Sequence, residues 1–322
     1  MKWILMNRLT APNQTASTIN SAVCGVGLCL LFATKSVDAQ PRQVPRNIEA
    51  HRDVAYVADG HVRQRLDLFL PRDRSKSVPV IVWIHGGGWR GGSKNNCPPL
   101  RLGFVQRGYA VASLGYRLSG DARFPAQIED CRSAIRWLRE HAGRYRIDPD
   151  RFGAWGSSAG GHLAALVGTT GDLKQFEEAK PAEEQSSAVQ AVCDFFGPTD
   201  FLQMDAHAPA DAPFKHDSAN SPESLLFGKA IQTIPKQVQS ANPVHYLTAD
   251  DPPFLIVHGK RDRLVPVHQS ELLHDALTRQ GVPVELIVLP EAGHGGRAFQ
   301  NEETTGRVIK FFDRWLQSHS SD

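Results

Sequence analysis

The sequence predicts an α/β chain: a mostly parallel, twisted sheet with helices on both faces. Three observations predict it. Short apolar runs of strand length alternate with longer helical patterns from residue 78 onward. Glycine-bearing loops follow several of these runs. The residues with chemistry stand just after the runs, where the carboxyl ends of parallel strands hold ligands.

Residues 1–39 read as a secretory signal. Ser21 to Ala33 is an apolar run preceded by Lys2 and Arg8, and Val37-Asp38-Ala39 follows in the small-x-small pattern of a cleavage site. The run falls short of the roughly 18 to 20 residues that a membrane span needs, so no stable membrane insertion is expected once it is removed. The protein is expected to be secreted or periplasmic after cleavage near Ala39, with residues 40–322 as one domain. Cleavage leaves Cys97, Cys131 and Cys193. Cys131 lies on the inner face of a helix and Cys193 within a strand, so both are expected as buried free thiols. No Cys pair has zinc-site spacing and no His-Glu-x-x-His helix occurs, so no metal is implied.

Two strands open the mature chain, Asp53 to Val57 and Gln64 to Leu70. The strand Val78 to Ile84 comes next and ends in His85-Gly86-Gly87-Gly88-Trp89. Successive glycines after a strand leave backbone amides bare, and such amides stabilise an oxyanion in acyl transfer by about 3 kcal/mol per donor. The expected donors are the amides of Gly87, Gly88 and Ala159, with the His85 ring orienting the loop. Then come a strand at Ala110 to Leu114, a helix over Pro125 to Ala142 with Pro in its first turn, and a strand at Phe152 to Trp155.

That last strand runs into Gly156-Ser157-Ser158-Ala159-Gly160, and a helix over Ser158 to Gly168 follows. Strand, tight turn, helix is the setting in which a serine hydroxyl stands clear of a sheet, with small residues two before and two after it to let the elements pass. Ser158 is the expected nucleophile. A serine needs a base to take its proton, and in such folds an acid and then a histidine follow in chain order. The strand Pro253 to His258 is followed by Asp262, and the strand Val284 to Leu289 by His294. His294 is expected to move the proton and Asp262 to orient the imidazole. Asp200, after the strand Val189 to Phe195, is the rival acid. His162 and His258 read as structural. Helices over His268 to Gln280 and Thr304 to Ser318 complete the pattern.

These segments resemble an α/β-hydrolase of the hormone-sensitive-lipase or carboxylesterase type. They are most similar to secreted bacterial esterases akin to bifunctional xylan and ferulic acid esterases (BD-FAE). The resemblance is carried by Asp53-Val54-Ala55-Tyr56 with Gln64-Arg65-Leu66-Asp67-Leu68-Phe69-Leu70-Pro71, the His-Gly-Gly-Gly-Trp loop, Gly115-Tyr116-Arg117-Leu118, Asp148-Pro149-Asp150-Arg151-Phe152, the elbow, and Asp251 to Gly259. It implies a serine esterase that needs no cofactor and acts on small-molecule or polysaccharide-linked esters. Trp89, Ser157 and Asp200 are the expected substrate-binding residues.

Residues 201–247 break the alternation and are expected to form an inserted lid or pocket wall. The stretch carries His207, Asp211, Lys215, His216, Asp217, Glu223 and Lys229, and its surface is expected to face water, which disfavours long acyl chains. The formal charge is +2, from 36 Lys and Arg against 34 Asp and Glu, which offers no basic surface for nucleic acid. Two rival readings are a serine peptidase resembling prolyl oligopeptidases and a catalytically silent binding module on the same fold.

Overall fold

Eight strands form one sheet: β1 (Ile48–Ala55), β2 (Arg65–Pro71), β3 (Val78–Ile84), β4 (Ala110–Leu114), β5 (Ile147–Ser157), β6 (Ala191–Phe195), β7 (Phe254–Gly259) and β8 (Val284–Leu289). Their spatial order is β1-β2-β4-β3-β5-β6-β7-β8. The β1–β2 and β2–β4 pairings are antiparallel and all the later ones parallel. The computed structural model describes residues 44–171, 173–176 and 185–317. The expected signal, residues 1–39, lies outside them. All the described residues belong to the unit Asp38–Asp322.

Period-two geometry sends alternate residues of β3 to opposite faces, and both faces are covered. Val80, Val82 and Ile84 pack on one side with Ile128, Ile135, Leu163, Leu166 and Leu273. These come from α1 (Ala126–Glu140), α2 (Ala159–Thr170) and α3 (His268–Gln280). Ile81 and Trp83 pack on the other side with Trp155, Phe312 and Leu316, the last two from α4 (Glu302–Leu316). Burying one such large side chain is worth about 1.5–3 kcal/mol, so the two layers account for much of the driving force. Cys131 belongs to the first layer and Cys193 to the second; both, like Cys97, are free and buried.

One strand differs from the sequence expectation. β1 starts at Ile48, not Asp53, and pairs from Ile48 opposite Pro71 onward. Asp53 instead sits at a register shift between His51 and Val54 with φ 54°. An edge strand with one half-exposed face carries no apolar run, so its polar start Glu49-Ala50-His51-Arg52 was unreadable as strand.

Residues 201–247 fold into turns and short helices, Met204–His207, Pro222–Phe227 and Pro235–Val238. Phe201, Met204, Leu226, Phe227, Ile231 and Tyr246 are buried in the first layer, so the insertion is anchored to the core as well as polar. Loops after β3, β5, β7 and β8 share the carboxyl edge of the sheet, and the candidate site lies there.

Candidate active site

β5 ends at Ser157 and α2 begins at Ala159, leaving Ser158 alone in the turn at φ 54°, ψ −124°. A non-glycine residue in such a conformation stores about 1–3 kcal/mol of strain, held here by its surroundings. The Ser158 amide donates to the Phe195 carbonyl (2.8 Å), and the Ser158 carbonyl accepts from the His162 amide (3.0 Å). Side chains at the flanking glycines are impossible: a Cβ on Gly156 would stand 1.9 Å from the Gly160 carbonyl oxygen, and one on Gly160 2.1 Å from that of Ile84.

The loops after β7 and β8 bring a carboxyl and an imidazole to this turn. His294 Nε2 lies 2.9 Å from Ser158 Oγ, and His294 Nδ1 lies 2.6 Å from Asp262 Oδ2. Asp262 is buried; its Oδ1 accepts the amides of Leu264 (2.8 Å) and Val265 (2.9 Å). Burial alone would raise its pKa, but hydrogen bonds from His258 and His294 and their charges outweigh that and hold it well below the usual carboxylate range. An ionised carboxylate only accepts, so His294 Nδ1 carries the hydrogen and Nε2 is left to accept from the serine hydroxyl. The Phe196 ring covers His294 edge-on at 4.7 Å.

His258, expected as structural, is buried and touches the same carboxyl. Its Nδ1 lies 2.6 Å from Ser270 Oγ, and its Nε2 lies 2.9 Å from the Val265 carbonyl and 3.3 Å from Asp262 Oδ2. A carbonyl only accepts, so Nε2 is the protonated nitrogen and aims its hydrogen between the two oxygens.

The glycine loop presses on the elbow from the other side. Gly87 and Gly88 have φ 120° and 58°, and the Gly87 carbonyl takes the amides of Arg90 and Gly91, closing the loop into a tight turn. A Cβ on Gly86 would come within 2.7 Å of the Ser157 carbonyl oxygen. His85 lies under the loop, stacked on Tyr116 at 4.3 Å, with Nδ1 2.8 Å from the Gly86 carbonyl. Burial lowers its pKa to about 4 against that hydrogen bond, so the ring is neutral and donates to Gly86. The Ala159 amide, at the first position of α2, is one the helix cannot use internally.

A cavity of about 680 Å³ opens over these groups. Ser157, Ser158, Ala159, Gly87, Gly88 and His294 line it, and the insertion adds Phe214, His216, Pro222 and Glu223. Two residues expected to bind substrate are placed otherwise. Asp200 does not line the cavity: its carboxyl caps the turn Phe201–Gln203, accepting from the Leu202 amide and the Gln203 side chain. Trp89 borders the cavity, but its ring is buried against His162 and Phe201 and serves as wall. His216 and Glu223, expected to face water, are 2% and 3% exposed and pair at 3.0 Å. Sequence reasoning missed Phe214 and this pair, because their roles depend on where the insertion folds back, and Phe196, because its contact with His294 joins the loops after two separate strands. Among the described residues no group of three or more His, Cys, Asp or Glu could hold a metal ion, and no helix is long and apolar enough to cross a membrane.

This sheet, with its serine elbow and the histidine and carboxylate loops beyond it, defines an α/β-hydrolase. The chain belongs to the BD-FAE family, whose model matches residues 66–277. Among curated proteins it is 32% identical to the esterase LipC of Mycobacterium tuberculosis, over 77% of this chain and 61% of LipC. The chain thus spans about three fifths of that relative's length. Among solved structures, it is 35% identical to a bifunctional GH43-CE protein from Bacteroides eggerthii, with a TM-score of 0.75, over 82% of this chain and 38% of that one. A truncated carbohydrate esterase from gut microbiota is 29% identical with a TM-score of 0.77, over 87% of this chain and 100% of that one.

Proposed function

We propose that this protein is a serine carboxylic-ester hydrolase that works through an acyl-enzyme on acetyl, short-chain or aromatic-acid esters, including polysaccharide-linked ones. The observation that carries it is the continuous hydrogen-bonded chain from Ser158 Oγ through His294 to Asp262, facing a glycine loop across one cavity. The similar carbohydrate esterase supports the substrate class.

In this reading His294 Nε2 takes the Ser158 proton as Oγ forms a bond to the ester carbonyl carbon. The carbonyl oxygen gains the negative charge and is met by the amides of Gly87, Gly88 and Ala159. Collapse of the tetrahedral intermediate breaks the bond to the alcohol oxygen, which leaves with the proton from His294. Water, deprotonated by the same nitrogen, then attacks the acyl carbon; the bond to Ser158 Oγ breaks as His294 returns the proton to Oγ, and the acid is released. Asp262 keeps the imidazole in its Nδ1–H tautomer and balances its charge at each transfer. No step calls for a cofactor. The apolar run and cleavage pattern before Ala39 support action outside the cytoplasm.

Each methylene buried is worth about 0.8 kcal/mol only where apolar walls meet it. Here one wall carries the His216–Glu223 pair. Rates on p-nitrophenyl acetate, butyrate, octanoate and palmitate, with an acetanilide as the amide, test the reading. It expects kcat/KM to fall sharply beyond octanoate and the amide to be almost inert. A maximum at palmitate would make the protein a lipase, and preference for the amide a peptidase.

A further inference from the structure

Phe196 follows β6 with φ 45°, a backbone angle that favours glycine, yet it carries a large ring and is 7% exposed. Two hydrogen bonds hold it there. Its own amide donates to the Val257 carbonyl (2.9 Å), and the next amide, that of Gly197, donates to Oδ1 of the buried Asp194 (2.9 Å). The ring lies between two residues of the chain after β8: it meets the His294 imidazole at 4.7 Å and 60°, and the Phe299 ring at 4.6 Å and 76°. A strained residue persists only where its surroundings fix it, and here they fix an aromatic ring against the general base.

His294 gains support from that ring which its own loop does not give, since Gly295 and Gly296 follow it at φ 91° and 99°. The imidazole is held through its two nitrogens, by Asp262 at Nδ1 and by Ser158 at Nε2. Two such bonds define an axis about which the ring can still tilt, and the Phe196 ring is a third point of contact.

The two halves of the reaction differ in how many of these points remain. During acylation all three are in place. Once Oγ is esterified it has no hydrogen to give to Nε2, and of the three the imidazole keeps Asp262 and Phe196. Nε2 must then take a proton from water as the water oxygen bonds to the acyl carbon, and return it to Oγ as the bond between Oγ and that carbon breaks. A tilted ring points Nε2 away from that water.

We propose that Phe196 is a positioning residue for deacylation, holding His294 in place while Ser158 is acylated and its hydrogen bond to Nε2 is gone. The inference rests on the acyl-enzyme reading and deepens it.

Phe196→Gly removes the ring at a backbone angle that glycine adopts freely. The test mixes the full protein with p-nitrophenyl acetate, whose good leaving group makes acylation fast, and quenches in acid at intervals. Release of p-nitrophenol gives the acylation rate, and intact mass follows the decay of acetylated Ser158. Deacylation in the variant should slow about tenfold more than acylation, so that acetyl-enzyme accumulates and KM falls together with kcat. Phe196→Ala should do the same and decides the matter should Phe196→Gly not fold. Phe196→Tyr keeps the ring and should keep the ratio of the two rates within about threefold of wild type. A residue that only packs would slow both steps together. A ratio changed less than threefold in the ring-deleted variants, or changed as much in Phe196→Tyr as in Phe196→Gly, overturns the proposal. Release of p-nitrophenol with no acetyl group on Ser158 in any of these proteins would overturn the acyl-enzyme reading itself, and this inference with it.

Discussion

His258 Nε2 stands 3.3 Å from Asp262 Oδ2, the same oxygen that receives His294 at 2.6 Å. Asp262 is thereby gripped by two imidazoles and two backbone amides, and the carboxyl that orients His294 has no freedom to rotate. His258→Leu removes one grip and leaves the Val265 carbonyl and Ser270 hydroxyl without their partner. Hydrogen bonds to charged groups are worth about 1.5–3 kcal/mol, so kcat on p-nitrophenyl acetate should fall roughly tenfold or more, with a lowered Tm. Steady-state kinetics beside a thermal melt check this; unchanged kcat would make His258 a packing residue only.

The two strand-end acids should separate cleanly. Asp262→Asn gives His294 a partner that no longer requires the Nδ1–H tautomer, and kcat should drop by roughly 10⁴, the size of the effect of the same change in serine proteases. Asp200→Ala removes a cap hydrogen bond, which should cost about 0.5–2 kcal/mol of stability and leave kcat near wild type. Activity lost in Asp200→Ala and kept in Asp262→Asn would exchange the roles.

Much of the fold was legible because strand, glycine loop and helix leave local marks. The run Val78 to Ile84 before His85-Gly86-Gly87-Gly88, and Gly156 to Gly160 between β5 and α2, each announce their geometry within a dozen residues. Asp262 and His294 could be named because each follows an apolar run of strand length, the buried β7 and the half-buried β8. Asp200 satisfied the same rule, yet its carboxyl is spent on the Leu202 amide two residues away, a turn motif that looks identical in sequence. Trp89 could not be told from a substrate platform because the sequence does not show that its ring packs on His162 and Phe201. His216 and Glu223 looked solvated because charge and separation by seven residues say nothing of a shared burial site created by the fold of the insertion.

Stability should fall on mild acidification. His85 and His162 are buried, and burial lowers both pKa values to about 4 against the hydrogen bonds to the Gly86 and Ala241 carbonyls. The unfolded chain binds these protons near 6.5, before the folded one does. Their contribution is complete above about pH 6.5 and lost as pH falls toward 4, on the order of 3 kcal/mol per ring. His216 has the opposite sign: its raised value stabilises at low pH and is lost as pH rises through that value. Asp262, held low, adds its loss only below about pH 4. Asp194, whose pKa burial raises to about 6, shares the sign of His216 and offsets part of the loss. Melting curves from pH 7 to 4.5 should show a Tm that falls less steeply in His162→Gln than in the wild type; equal slopes would contradict a neutral buried ring at His162.

The central claim is that Ser158 Oγ carries the acyl group, and covalent labelling tests it most directly. A fluorophosphonate reacts only with a serine whose proton a neighbouring base can take. Intact-mass and peptide analysis after labelling should show one adduct per chain, on Ser158, with esterase turnover lost in proportion, and none on Ser158→Ala. An adduct on another serine, or turnover that survives full labelling of Ser158, would contradict the account.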